Sequence, residues 1–84
     1  MKESEIKIKI SLDENKVPEQ IFWTAEDAGE VNQKSEAVLI SLWDAEKQNS
    51  LRIDLWTKEM KVDEMNTFFH QTLTAMTDTF ERAT

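Results

Sequence analysis

The sequence contains no cysteine, one histidine, one glycine and one proline among its 84 residues. Without cysteine the chain has no disulfide, metal–thiolate site, thiol nucleophile or redox switch, which fits a reducing compartment. A Ser-His-Asp arrangement would need a serine within reach of His70, and no serine lies in a nucleophile turn of the G-x-S-x-G type. We expect His70 at the polar border of a helix. The sequence therefore predicts no catalytic residue and no enzyme.

Basic residues are scarce, because 10 Lys and Arg face 17 Asp and Glu and leave a net charge of −7. Nucleic-acid binding depends on basic side chains that neutralise phosphates, so we expect no nucleic-acid partner. The same charge argues against an anionic membrane surface. No apolar run approaches the roughly 20 residues that span a bilayer, and the charged N-terminus does not look like a secretory signal. We expect a cytoplasmic protein with no membrane insertion.

The carboxylates, although abundant, form no recognisable site in the sequence. The densest group is Glu26, Asp27 and Glu30, which lacks the alternating oxygen ligands and the turn glycine of a calcium-binding loop. Gly29 alone makes no phosphate cradle, and residues 58–61 do not form a P-loop. We therefore expect a solvated acidic loop, with no metal and no cofactor.

Four segments have the pattern of β-strands, at residues 5–12, 20–24, 36–44 and 51–56. The first alternates apolar with polar residues, which is typical of a half-buried strand. The third is apolar at both alternating sets of positions, so we expect a central strand covered on two sides. Residues 25–35 are polar and longer than most hairpin connections, which predicts a long mobile loop.

A helical period begins at about Val62, with Asp63 and Glu64 in the first turn, where they complement the helix dipole. The apolar stripe of this helix consists of Met65, Phe69, Leu73, Met76 and Phe80. The order of elements predicts one α+β domain over residues 1–84, a four-stranded antiparallel meander with a C-terminal amphipathic helix on one face (β-β-β-β-α). No glycine or proline stop follows the stripe, so we expect the helix to fray or to continue in a longer chain.

Pleat alternation divides the strand residues between two faces. The set expected to form the core beneath the helix is Ile6, Ile8, Ile10, Val38, Ile40, Leu42, Leu51, Ile53 and Leu55. The opposite face carries Leu39, Trp43 and Trp56 beside Arg52 and Asp54, with Trp23 or Phe22 joining from the second strand. Exposed aromatic patches of this kind mark interaction sites, where Trp and Arg are enriched. We predict a protein interface at these five residues, covered by a further C-terminal segment, by a second copy in a homo-oligomer, or by another protein.

Several strings of the chain resemble a known family. They are LDENKVP at residues 12–18, LWD at 42–44, LRIDLWTK at 51–58, FFHQTL at 68–73 and DTFERAT at 78–84. Together they resemble the gliding motility-associated protein C (GldC) family over nearly the whole chain, with the exception of residues 25–35. The resemblance implies a small cytosolic protein associated with the machinery by which certain bacteria glide over surfaces. It implies no catalytic residue, cofactor or ligand.

Two functions fit these observations. The first is a non-enzymatic accessory or assembly protein of the motility machinery, acting through protein–protein contacts at the aromatic residues or the helix. The second is a chaperone that holds unfolded client proteins for export, similar in outline to SecB, with a sheet that bears exposed apolar grooves. A defined interface over Trp43 and Trp56 would favour the first function. Binding of denatured polypeptide with little sequence preference would favour the second.

Overall fold

The structure is a computed structural model that describes residues 2–84. Its elements are β1 (Lys7–Leu12), β2 (Pro18–Ala25), a 3-10 turn (Glu26–Ala28), β3 (Glu30–Ser35), β4 (Ala37–Asp44), β5 (Asn49–Trp56) and α1 (Val62–Ala83). The strands form two antiparallel sheets, one in the order β1-β2-β3 and one of β4 and β5. The α+β class and the C-terminal helix are therefore confirmed. The single four-stranded meander is replaced by five strands in two sheets.

The three-stranded sheet is built around β2, which pairs with β1 on one side and β3 on the other. The isoleucine alternation of β1 places Ile8 opposite Trp23 and Ile10 opposite Ile21. Residues that oppose each other in an antiparallel pair point to the same face, so these four side chains share one face of the sheet. Ile21 is fully buried there, which makes this face the apolar centre of the chain.

The predicted loop at residues 25–35 was wrong, since this segment contains the 3-10 turn and the whole of β3. Gly29 ends the turn in the left-handed region with φ of 77° and donates its N–H to the Glu26 carbonyl at 2.9 Å. β3 has the sequence EVNQKS, and its interior residues are all exposed. An edge strand of this kind is held by main-chain pairing, so it shows no apolar alternation in the sequence.

The two-stranded sheet is a hairpin with an unbroken register from Ala37 opposite Trp56 to Asp44 opposite Asn49. Its turn is ordered by the Asp44 carboxylate, which accepts the N–H groups of Glu46 and Lys47 at 3.0 and 3.1 Å. β4 was predicted to be a central strand covered on both sides. Within residues 2–84 it pairs with β5 alone, and its turn-proximal residues are exposed on both faces.

Helix α1 has 22 residues, and its start is stabilised by the Lys61 N–H donating to the Glu64 carboxylate at 3.1 Å. Asp63 and Glu64 occupy the first turn, as the sequence predicts. No side chain of the helix is fully buried, and the apolar stripe from Phe69 to Phe80 is exposed. No helix within the described residues is both long enough and apolar enough to cross a membrane.

The predicted aliphatic core does not form within the chain. Among residues 2–84, Ile21 is the one fully buried apolar side chain, whereas Ile6, Leu42, Leu51 and Ile53 are exposed. The accessible surface is 7439 Å², against about 5200 Å² for a monomeric protein of this mass. The radius of gyration is 15.0 Å, compared with roughly 12 Å for a compact domain of this length. The chain therefore leaves much of its apolar surface unburied.

Polar contacts join the two sheets where β5 ends. Thr57 is buried, and it donates its hydroxyl to the Glu36 carboxylate and its N–H to the Glu36 carbonyl at 2.9 Å. Glu36 is the residue at which the chain passes from β3 to β4. The next residue, Lys58, pairs with Asp13 in the β1–β2 turn and lies 3.9 Å from the Glu19 carboxylate. Thr57 thus connects the end of β5 to the junction of β3 and β4, and Lys58 connects it to the β1–β2 turn and to β2.

Candidate protein-interaction surface

The register of the hairpin brings the five predicted interface residues to one face. Leu39 opposes Asp54, and the pairs on either side along the same face are Ala37 with Trp56 and Ser41 with Arg52. Trp43 follows at the turn end, opposite Ser50. We call Leu39, Trp43, Arg52, Asp54 and Trp56 the aromatic face. The structure thus places these side chains on one surface, and their role as an interface remains a prediction.

The aromatic face has a charged centre between two indole rings. The Arg52 guanidinium lies 3.3 Å from the Asp54 carboxylate, and both side chains are exposed. Such an exposed pair contributes between about 0 and 1 kcal/mol to stability. Trp43 is 64% exposed and Trp56 is 54% exposed. Folding of the isolated chain therefore leaves most of the apolar surface of these two rings in contact with water.

The base of the aromatic face borders the first half of the helix. One open cleft, of about 320 Å³, is lined by Trp56, Met60, Lys61, Val62, Met65, Asn66 and Phe69. A second, of about 310 Å³, joins Leu39 to Trp23, Phe68 and Thr72. Trp23 belongs to the other sheet, on the face that it shares with Ile21, and it lines this cleft together with Val38 as well as Leu39. Met60 was missed because it falls in the strand–helix connection, which carries neither a strand period nor a helical one, and Val62 because it begins α1 outside the apolar stripe.

The other side of the hairpin is wholly aliphatic along three consecutive cross-strand pairs. These pairs are Val38 with Leu55, Ile40 with Ile53, and Leu42 with Leu51, and we call these six residues the aliphatic face. It was predicted to be core covered by the helix. Leu42, Leu51 and Ile53 are instead exposed, and the clefts lined by helix side chains reach the hairpin at its base, at Val38, Leu39 and Trp56.

Asp13 and Lys58, whose pKa values are shifted, form an ion pair where the two sheets meet. The Lys58 ammonium, together with the N–H groups of Val17 and Asn15, holds the pKa of Asp13 below its ordinary value. Asp13 in turn raises the pKa of Lys58. His70 is exposed on the helix, where it was predicted to be. Over residues 2–84, no group of three or more histidine or carboxylate side chains is arranged to hold a metal ion.

Large apolar side chains exposed on both faces of the hairpin are the main surface feature of this small sheet-and-helix fold. A family model described as "Gliding motility-associated protein GldC-like" matches residues 18–84. The chain therefore belongs to the GldC-like family, which confirms the resemblance seen in the sequence strings. Comparison with curated proteins and with solved structures gives no match.

Proposed function

We propose that this protein is a non-enzymatic accessory or assembly component of the gliding motility machinery, acting in the cytoplasm through protein–protein contacts. Membership of the GldC-like family supports the link to gliding motility. The observation that carries the proposed mode of action is the hairpin of β4 and β5, which exposes Trp43 and Trp56 on one face.

The energetics of the hairpin support a partner on the aromatic face. A two-stranded hairpin is marginally stable by itself in water, and it gains stability when a face is covered. Each Trp side chain can bury about 150–250 Å² of surface, mostly apolar. Truncation of a tryptophan or arginine at the centre of an interface commonly costs 2 kcal/mol or more of binding free energy. Trp43, Arg52 and Trp56 are therefore suitable anchors for a partner protein.

The test is the double substitution Trp43→Ala and Trp56→Ala. We expect it to remove partner proteins from a pull-down out of gliding cells and to impair gliding, while the melting temperature changes little because both rings are exposed. A matched control is Ile6→Ala with Val31→Ala, two exposed apolar residues of the other part of the chain. Unchanged partner capture and unchanged gliding in the double tryptophan variant would contradict the proposal.

Substitution of the single histidine tests the non-enzymatic part of the proposal. We expect His70→Ala to leave both gliding and folding intact, because the side chain is exposed and a small change at such a site is usually tolerated. Complete loss of gliding by a normally folded His70→Ala protein would overturn it. Binding of denatured polypeptides distinguishes the chaperone hypothesis from the assembly role. A chaperone would bind several unrelated denatured polypeptides through Trp43 and Trp56.

A further inference from the structure

The aliphatic face is exposed at Leu42, Leu51 and Ile53 and half-buried at Val38, Ile40 and Leu55, and its chemistry differs from that of the aromatic face. All six of its residues are Val, Ile or Leu, and the next pair beyond them is Asp44 with Asn49 at the turn. We propose that a second copy of this chain docks on the aliphatic face, so that two hairpins stack face to face. This goes beyond the proposed function, which assigns the motility partner to the aromatic face.

The accessible surface of the chain is large enough to accommodate a second copy. The accessible surface exceeds that of a monomer of equal mass by roughly 2200 Å². A stable interface of standard size takes about 800 Å² from each partner. This excess belongs to the whole chain, including the exposed stripe of α1, and it is large enough for an interface of standard size.

The composition of the aliphatic face favours a copy over an unrelated partner. Homodimer interfaces are the more apolar class and resemble a domain core cut in half. Sheets that stack face to face fill the space between them with interdigitating side chains of this aliphatic kind. The aromatic face, with an exposed Arg52–Asp54 ion pair between two tryptophans, instead has the composition of binding hot spots in contacts between different proteins.

Charge also permits self-association at this face. Each chain carries a net charge of −7, so two copies repel each other wherever their acidic surfaces meet. The aliphatic face has no charged side chain among its three pairs. The acidic residues that flank the three pairs are Glu36 at the base and Asp44 at the turn, and the Glu36 carboxylate lies 3.7 Å from the Lys34 ammonium of its own chain. Docking at this face therefore places no charged side chain within the three stacked pairs.

The experiment compares two neighbouring residues that point to opposite faces. Leu42→Lys and Trp43→Lys make the same change in charge at sites that are 56% and 64% exposed. The mass of the full chain is measured by sedimentation equilibrium at roughly 1–100 μM, a range that reaches the weaker end of affinities for interfaces of standard size. We expect the wild type and Trp43→Lys to sediment as dimers, at twice the chain mass of 9.8 kDa. We expect Leu42→Lys to dissociate, with affinity weakened at least about 100-fold by the buried charge.

Leu51→Lys, directly opposite Leu42 in the register, is the second variant and should behave in the same way. Far-UV circular dichroism of each variant establishes that the helix is retained. A monomeric wild type, or a folded Leu42→Lys or Leu51→Lys protein that keeps the wild-type mass, would overturn the proposal. The readout is independent of the motility role, since a dimer lost in Leu42→Lys but kept in Trp43→Lys supports this inference even if Trp43 and Trp56 capture no partner.

Discussion

The two sheets of this small chain use similar apolar residues with different results. In the three-stranded sheet, β2 is flanked on both edges, and Ile21 at its centre is 0% exposed. In the two-stranded sheet Ile53, which also occupies mid-strand and faces another isoleucine, is 47% exposed. The same residue type is therefore core in one sheet and surface in the other. What differs is the number of neighbouring strands, since within the described part of the chain β2 has one on each side and β5 has one only.

The largest expected effect that separates the two sheets is the truncation of these isoleucines. Ile21→Ala should lower the free energy of unfolding by about 2–5 kcal/mol, because it opens a cavity that its neighbours cannot fill. Ile53→Ala should cost less than about 1 kcal/mol in a dilute, monomeric sample, since its side chain is already half in water. Urea unfolding at low protein concentration measures both values.

Ile21→Val is the milder variant, with an expected cost of about 0.5–1.5 kcal/mol, and it keeps the comparison measurable if Ile21→Ala does not fold. The two sheets also differ in how protein concentration should act. If a copy covers the aliphatic face, the cost of Ile53→Ala grows with concentration while that of Ile21→Ala does not. Equal costs for the two isoleucines at high dilution would show that the comparison between the sheets is mistaken.

The sequence predicts local structure well in this protein and long-range packing poorly. The alternation of Ile6, Ile8 and Ile10 predicts β1, and the stripe from Met65 to Phe80 predicts α1, because both periods are set by backbone geometry alone. The alternation in β4 and β5 also places all five aromatic-face residues together, which the register confirms. A period shows which residues share a face, but it does not show what covers that face.

Two errors follow from this limit. β3 was missed because an edge strand with exposed side chains needs no apolar alternation, and the sequence EVNQKS contains one apolar residue. β4 was predicted to be a central strand because both of its alternating sets of positions are apolar, whereas within residues 2–84 it pairs with β5 alone. Leu42, Leu51 and Ile53 were assigned to a core under the helix, although the clefts lined by helix side chains lie at the base of the hairpin, at Val38, Leu39 and Trp56.

An effect of intermediate size is expected at Thr57, where polar contacts hold the hairpin to the three-stranded sheet. Thr57→Val keeps the shape of this buried residue but removes the hydroxyl that donates to the Glu36 carboxylate. Loss of a hydrogen bond to a charged acceptor should lower the free energy of unfolding by about 1–3 kcal/mol. Thr67→Val, at an exposed helix position, is the control and should stay within about 0.5 kcal/mol. Similar values for the two variants would mean that the buried contact contributes little to joining the sheets.

The smallest effect is a pH dependence from the ion pair between Asp13 and Lys58, which links the β1–β2 turn to the end of β5. The pKa of Asp13 is lowered by Lys58 and by the N–H groups of Val17 and Asn15, so its contribution to stability is present above the ordinary aspartate pKa. It is lost as the pH falls through the lowered pKa of the folded state. The pKa of Lys58 is raised, so its contribution is lost only as the pH rises through that raised value.

Asp13→Asn should therefore lower stability most at neutral pH, with the difference from wild type shrinking below about pH 4 and again above about pH 10. Asp27→Asn, which makes the same charge change at an exposed carboxylate of the 3-10 turn, is the control for the change in net charge. A difference between wild type and Asp13→Asn that stays constant from pH 3 to pH 7 would show that the carboxylate charge does not connect the two sheets.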